Sequence, residues 1–308
     1  MTAIARSQAI PAAAIARRRY NREQWVGLLY VAPALVLVFV FFVVPLGMTA
    51  WMSFNDWPLM GEHTFNGLDN YVAILKDLRF WSALKFTAYY TLVVTVAIFA
   101  VAFPMALYVE RPRPFNAFYR TAFFMPVVVG FASASLLWSW LLNVDAGLFS
   151  PAAYALGLTE KKVNLLATFD AAFWSIIAMV VWKVAGFTMV ILMTGLQSVP
   201  TELQEAAKLD GAGAFARFRL ITLPLMRRTM ALALILSVAG SMLAFDQFYI
   251  ILRGGPRNQT LTAVYWIFNQ SFVSFKLGYG AALSMVLLVI LLLLSLIQLR
   301  LLRNPEGV

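Results

Sequence analysis

"VAPALVLVFVFFVVPLGM", residues 31–48, decides the fold. It carries no charge and lies inside an apolar run covering residues 25–52. A helix needs about 20 apolar residues, at roughly 1.5 Å each, to cross the hydrocarbon layer of a bilayer. The apolar core of a secretory signal is shorter, about 7–15 residues, and ends at a small-residue cleavage site. No such site is evident here, so the run reads as a retained membrane helix. Pro33 and Pro45 fall inside it. Membrane helices tolerate proline where neighbours re-satisfy the freed carbonyls.

Working outward, five more stretches are long and apolar enough to span: about residues 80–107, 119–142, 171–196, 229–252 and 278–302. Composition agrees. Of 308 residues, 62% are hydrophobic and 12% charged, against about 25% charged in an average soluble domain. The expected fold class is an all-α integral membrane protein with six transmembrane helices.

Lys and Arg set the orientation. With the N-terminus inside, the inner segments hold Arg6, Arg17, Arg18, Arg19, Arg22, Arg111, Arg113, Arg120, Lys208, Arg217, Arg219, Arg227, Arg228, Arg300 and Arg303. The outer segments hold Lys76, Arg79, Lys85, Lys161, Lys162, Arg253, Arg257 and Lys276. Fifteen against eight predicts that both termini are cytoplasmic. The same distribution accounts for the net charge of +10 without nucleic acid. Residues 1–24 are expected to be a basic cytoplasmic tail near anionic lipid, and residues 25–308 the membrane domain.

Chemistry at a catalytic or metal centre finds little support. The sequence has no cysteine and one histidine, His63, which excludes thiolate catalysis and histidine-rich metal sites. His63 reads as an ordinary loop residue. No enzyme activity and no metal site are expected in this chain.

One insert breaks the apolar pattern: "EAAKLDGAGAFARFRLITLP", residues 205–224, between the fourth and fifth spans on the predicted cytoplasmic face. Thr201 and Gln204 fit a capping box after Pro200, so a short helix is expected from about Glu202. Leu203, Ala206 and Ala207 share one helical face. Gly211 and Gly213 permit a sharp turn. Phe215 and Phe218 add apolar surface, and Pro224 suits the first turn of the fifth span. The insert reads either as an amphipathic connector on lipid or as a docking surface for a soluble partner.

Here the sequence resembles the permease subunits of binding-protein-dependent ABC importers. Glu205, Ala206, Ala207, Gly211, Ile221, Leu223 and Pro224 occupy the positions of their E-A-A signature loop without a gap. "RTAFFMPVVVG", "VVWKVAGFTMVILMTGLQSVPTELQEAA" and "FDQFYIILRGGPRNQT" are similar to the carbohydrate-importer branch, related to maltose and glycerol-3-phosphate permeases. The resemblance implies a coupling loop over residues 199–226, with a coupling helix seated in a partner ATPase. Glu205 would make polar contact, Ala206 and Ala207 would allow close approach, and Gly211 would make the turn.

The resemblance further implies a second permease subunit, two cytoplasmic ATPase subunits and an extracytoplasmic solute-binding protein, in a bacterial inner membrane. The chain lacks a G-x-x-x-x-G-K-[ST] phosphate loop, so ATP and Mg are expected on the partner ATPase and no cofactor on this chain. The implied cargo is a sugar or oligosaccharide, with glycerol-3-phosphate or a polyol derivative as the alternative. An ion-driven secondary transporter is the reading from another class; it would leave the E-A-A loop unexplained.

Ionisable residues inside a span are functional candidates. Lys183 and Asp246 stand about 21 Å and 25 Å above the cytoplasmic ends of their helices, counted at 1.5 Å per residue. They are expected either to bridge the two helices or to line a path for hydroxyl-rich cargo with Trp182, Gln247 and Tyr249. Gly254, Gly255 and Pro256 supply turn chemistry at the outer mouth, which the resemblance places near the binding protein.

Overall fold

The computed structural model describes residues 29–110 and 114–302. The expected basic tail, Arg111, Arg113 and Arg303 lie outside the described residues. Among the described residues four helices are long and apolar enough to cross a membrane, and the number rises to six if each of two bent pairs is one span.

The first, α1 (Leu29–Met52), has none of its most apolar window buried. Wide π-type turns at Phe39–Val43 lie just before Pro45. Proline has no N–H and crowds the preceding carbonyl, and a widened turn absorbs both. An antiparallel hairpin follows, β1 (Asn55–Asp56) with β2 (Thr64–Phe65), then the short α2 (Asp69–Lys76). Asn70 ties this lobe together by donating to the carbonyls of Ser53 and Asn55, both at 3.0 Å. His63 stacks on Trp57 at 4.2 Å.

The bundle is built on α3 (Leu78–Glu110) and α7 (Phe169–Gln197). On α3, Phe80, Ala83, Thr87, Tyr90, Val94, Ile98, Ala102, Ala106 and Val109 are buried at helical spacing, one stripe along the whole helix. It packs on α7, the most enclosed span, whose most apolar window is 61% buried. One cluster joins Tyr90, Val94 and Ile98 to Phe173, Ile176 and Val180. A second joins Ala102 and Ala106 to Met189, Leu192 and Leu196.

Lipid solvates leucine as well as leucine does, so close backbone approach and polar contacts must hold such helices together. Gly186 of α7 is one such point: a Cβ there would lie 2.0 Å from the carbonyl oxygen of Phe123. Gly186→Ala should therefore overpack the crossing by about 1–3 kcal/mol. The expected result is a lower unfolding midpoint in detergent; an unchanged midpoint would mean that the crossing yields freely.

The third expected span is not straight. It consists of α4 (Asn116–Val128) and α5 (Phe131–Leu141), bent by 95°. Pro126 weakens the last turn of α4, and Gly130 is the extended N-cap of α5 (ψ 150°). After the small α6 (Phe149–Ala155) and α7 come α8 (Thr201–Leu209) and α9 (Ala214–Leu225). A 70° bend separates α9 from α10 (Arg227–Met242). Pro224 thus sits before the bend, where the sequence reading placed it in the first turn of the span.

The expected fifth span is broken again. Its helix ends at Met242, and a wide turn resumes at Phe248–Leu252. The break leaves the carbonyl of Ala244, which accepts from Thr262 Oγ1 at 2.8 Å. Thr262 also caps α11 (Ala263–Phe268), a helix absent from the sequence reading. The last helix, α12 (Leu277–Leu302), packs against α10 and α11 through Met242, Trp266, Leu283 and Leu287. Arg120 donates to the carbonyl of Val109 and Arg227 to that of Leu301. These are helix C-terminal ends, where a cation satisfies orphan carbonyls and the dipole together.

Candidate functional site

The insert after α7 forms a helix-turn-helix. Pro200 is the N-cap of α8, with no side-chain cap bond, so the expected capping box does not form. Gln204 instead donates to Thr222 Oγ1 of α9 at 2.8 Å. The geometry explains the switch: α9 folds back alongside α8 and offers a buried hydroxyl within reach.

The turn is closed by two bonds, Ala212 N–H to Ala207 O at 2.9 Å and Gly211 N–H to Lys208 O at 3.1 Å. With Gly211 at φ 81°, this is a Schellman ending, which needs a left-handed residue after the cap. Arg217 locks it by donating to Ala212 O at 2.7 Å. The outer face is left open. Glu205 and Ala206 are exposed, and Leu209 is 89% exposed. Ala207, Ile221 and Leu223 are half-buried, while Gly211 and Pro224 are exposed.

The expected pathway residues divide among different environments. Lys183 is 4% exposed and does not meet Asp246. Its ammonium donates to the carbonyls of Pro126, Val127 and Val129, at the break between α4 and α5. It also lies 4.6 Å from the centre of the Phe131 ring. Among the described residues the sole ion pair is Lys162–Asp145, on the surface. The physical reason is proximity: α4 approaches α7 at Gly186, so the carbonyls freed by the bend are the nearest acceptors. Asp246 is half-buried at the start of the second piece of the broken span.

Gln247 is buried and donates to Tyr90 Oη at 3.2 Å. Both line a cavity of about 130 Å³, with Phe131, Val184, Ser237 and Ser241 on its walls. Ser237 further bonds Thr95 at 3.3 Å. Lys183 therefore stands behind this cavity, holding Phe131. Trp182 points elsewhere and packs on Trp138 at 5.9 Å. Tyr249 is 41% exposed and joins an aromatic group with Phe245, Tyr265 and Phe268. Tyr90, Phe131, Ser237 and Ser241 escaped the sequence reading, because hydroxyls scattered in apolar runs carry no periodic signal.

In the loop after the broken span, Gly254 adopts φ 82° and Gly255 O accepts from Thr260 Oγ1 at 2.6 Å. Nearby, Asp77 organises four donors. Its Oδ1 accepts the N–H groups of Arg79 and Phe80, capping α3. Its Oδ2 accepts Trp266 Nε1 at 2.9 Å and Tyr279 Oη at 2.7 Å. Burial alone would raise its pKa, but the four hydrogen bonds outweigh burial and lower it. The sequence reading passed over Asp77, although an Asp before an apolar run is a helix-start signal.

The stability that Asp77 contributes is complete above the unfolded carboxyl's pKa of about 3.9 and is lost as pH falls toward the folded value. Asp77→Asn should lower the unfolding midpoint at pH 7 and narrow its gap to the wild type on acidification. Parallel pH curves for the two proteins would refute the role.

Two curated relatives resemble the chain over nearly its whole length. The sn-glycerol-3-phosphate transport system permease protein UgpA of Salmonella choleraesuis is 32% identical over 287 residues, 91% of this chain and 94% of that protein. The trehalose/maltose transport system permease protein MalF of Thermococcus litoralis is 31% identical over 280 residues, again 91% and 94%. A crystal structure of a bacterial ABC transporter involved in the import of the acidic polysaccharide alginate matches with a TM-score of 0.79 at 18% identity. That match covers 94% of this chain and 99% of the other, and establishes the fold. The sequence profile of one family covers residues 9–305, and the chain accordingly belongs to the binding-protein-dependent transport system inner membrane components, as a multi-pass membrane permease.

Proposed function

We propose that the chain is one of two permease subunits of an ATP-driven importer that moves a sugar or oligosaccharide into the cytoplasm. The observation that carries this reading is the open face of Glu205, Ala206 and Leu209 on α8, held rigid by the Gly211 turn and the Gln204–Thr222 bond. A helix with small residues and an exposed leucine suits a groove in a soluble partner. In this reading α8 is the coupling helix of residues 199–226. The bent pair α4–α5 counts as one span and α10 with its broken continuation to Leu252 as another, which makes six, and both termini are cytoplasmic with residues 1–24 as the basic tail. ATP and Mg are held by two partner ATPases, and a solute-binding protein docks on the other face, by Gly254, Gly255 and Pro256.

The cargo follows from the inner cavity. Its polar lining is Tyr90, Ser237, Ser241 and Gln247, hydroxyls and an amide. Such groups match sugar hydroxyls, and the relative named for trehalose and maltose fits that cargo. The relative named for glycerol-3-phosphate favours a second reading. A phosphate would need a free cation, and Lys183 is already engaged by three carbonyls.

The test is to tag the C-terminus, solubilise native membranes gently and identify co-purifying chains by mass spectrometry, with and without a non-hydrolysable ATP analogue. Recovery of an ATPase and a second permease is expected. Recovery of this chain alone, folded, would instead favour a self-contained transporter. Competition of maltose against sn-glycerol 3-phosphate in transport then separates the two cargo readings.

A further inference from the structure

A second cavity, of about 140 Å³, opens at the Asp77 end of α3. Arg79, Ser82 and Phe86 line it from α3, and Asn258, Gln259 and Leu261 from the loop after Pro256. It shares no lining residue with the inner cavity. The two nonetheless open along one face of α3, because Arg79, Ser82, Phe86 and Tyr90 recur at helical spacing. Between them stands Phe248, fully buried. Its ring meets Phe86 of the one lining edge-on at 5.5 Å and Tyr90 of the other edge-on at 4.9 Å, so it packs between the two linings.

The lining has a definite chemistry. Among the described residues Arg79 has no carboxylate in an ion pair. Its guanidinium lies 5.8 Å from the centre of the Trp266 ring, a placement that orients the fork and leaves its N–H donors available. Asn258 and Gln259 add amides that donate and accept, and Ser82 adds a hydroxyl. Phe86 and Leu261 supply an apolar floor. A few convergent polar groups around an apolar floor describe a small-molecule site, and donors and acceptors mixed in this way suit a ring with polar edges and apolar faces. At about 30 Å³ per water the volume has room for roughly five waters, the scale of a single small ring.

We infer that this cavity is an outer subsite that holds one hydroxyl-rich sugar ring before it passes Phe248 into the inner cavity. The inference rests on the topology and cargo proposed above, and the experiment separates its failure from theirs. The chain contains no cysteine, so Ser82→Cys introduces its single thiol. Lys85→Cys, exposed on the same helix outside the lining, is the control. Both variants are expressed with the whole importer and labelled on intact spheroplasts with a membrane-impermeant maleimide.

Millimolar maltose, trehalose or methyl glucoside is expected to slow labelling of Ser82→Cys and to leave Lys85→Cys unchanged. Adding Arg79→Gln should raise the half-protecting concentration about tenfold, the effect of losing one charge-assisted hydrogen bond. Labelling from outside that none of the three sugars slows overturns the subsite and leaves the topology standing. Labelling of both variants only after permeabilisation overturns the topology, and the outer subsite with it. Protection by sn-glycerol 3-phosphate alone overturns the sugar-ring assignment.

Discussion

Gly211→Pro is expected to abolish transport while the membrane helices remain assembled. Gly211 sits at φ 81°, whereas proline is locked near −65°. The substitution also removes the N–H that bonds Lys208 O. Both faults fall on the same Schellman turn, and together they cost about 3 kcal/mol or more. If that cost is borne by the docked arrangement of α8, its occupancy falls about a hundredfold. The damage is local, because Gly211 is exposed and a Cβ there meets nothing within 4 Å. Gly211→Ala keeps the N–H but not the freedom of φ, so it should lose only about tenfold, from roughly 1–2 kcal/mol of left-handed strain. The measurement is cargo uptake by reconstituted importer, with unfolding midpoint and ATPase co-purification recorded in parallel. Unchanged uptake in Gly211→Pro would remove the coupling role from α8.

The second large effect is expected at Lys183. Lys183→Asp would set a carboxylate against the carbonyl oxygens that the ammonium now satisfies, those of Pro126, Val127 and Val129. Breaking a buried charged contact and leaving like partial charges facing costs at least about 3–5 kcal/mol, a large part of a typical domain's stability. The folded yield in the membrane should therefore collapse. Adding Asp246→Lys should not restore it, because Asp246 is not the partner of Lys183. Lys183→Met should be milder: it frees the carbonyls but also removes a buried charge, and these terms oppose each other. Its distinctive effect should fall on cargo affinity, since Phe131 loses the ammonium against which it rests and Phe131 walls the inner cavity. Folded yield and the KM for uptake, measured for all four proteins, decide the matter. Recovery in the double variant would restore the ion-pair reading.

The elements that were legible share a property: each is stated by neighbours in the chain. Residues 31–48 announce a span because no charge interrupts them. The Gly211 turn is announced by a glycine after a short helix. The two breaks were not legible. Pro126 and Gly130 are ordinary in membrane helices, and the chain shows the break at Leu243–Phe245 by no residue at all. Nor was the partner of Lys183 legible. Counting rise along two straight helices brought Lys183 and Asp246 to similar heights, but the spans are bent and the count does not survive the bends. Gln204 shows the same limit at close range. Its spacing from Thr201 fits a capping box, yet a hydroxyl eighteen residues onward competes successfully for the amide.

By itself the amino-acid order determined the class of this protein, its principal spans and the place and turn of its polar insert. Desolvating a charge or an unpaired backbone group in hydrocarbon is so costly that composition alone selects apolar helices. Only the tertiary structure decided which side chains meet inside. A membrane helix is apolar all round, so its sequence does not mark the face that will be buried. Tyr90 and Gln247 find each other across 157 residues, Lys183 finds carbonyls more than 50 residues away, and a single glycine, Gly186, sets how close α7 comes to α4. Those choices are made by packing, where small residues and a few polar contacts outweigh an apolar attraction that lipid has already cancelled.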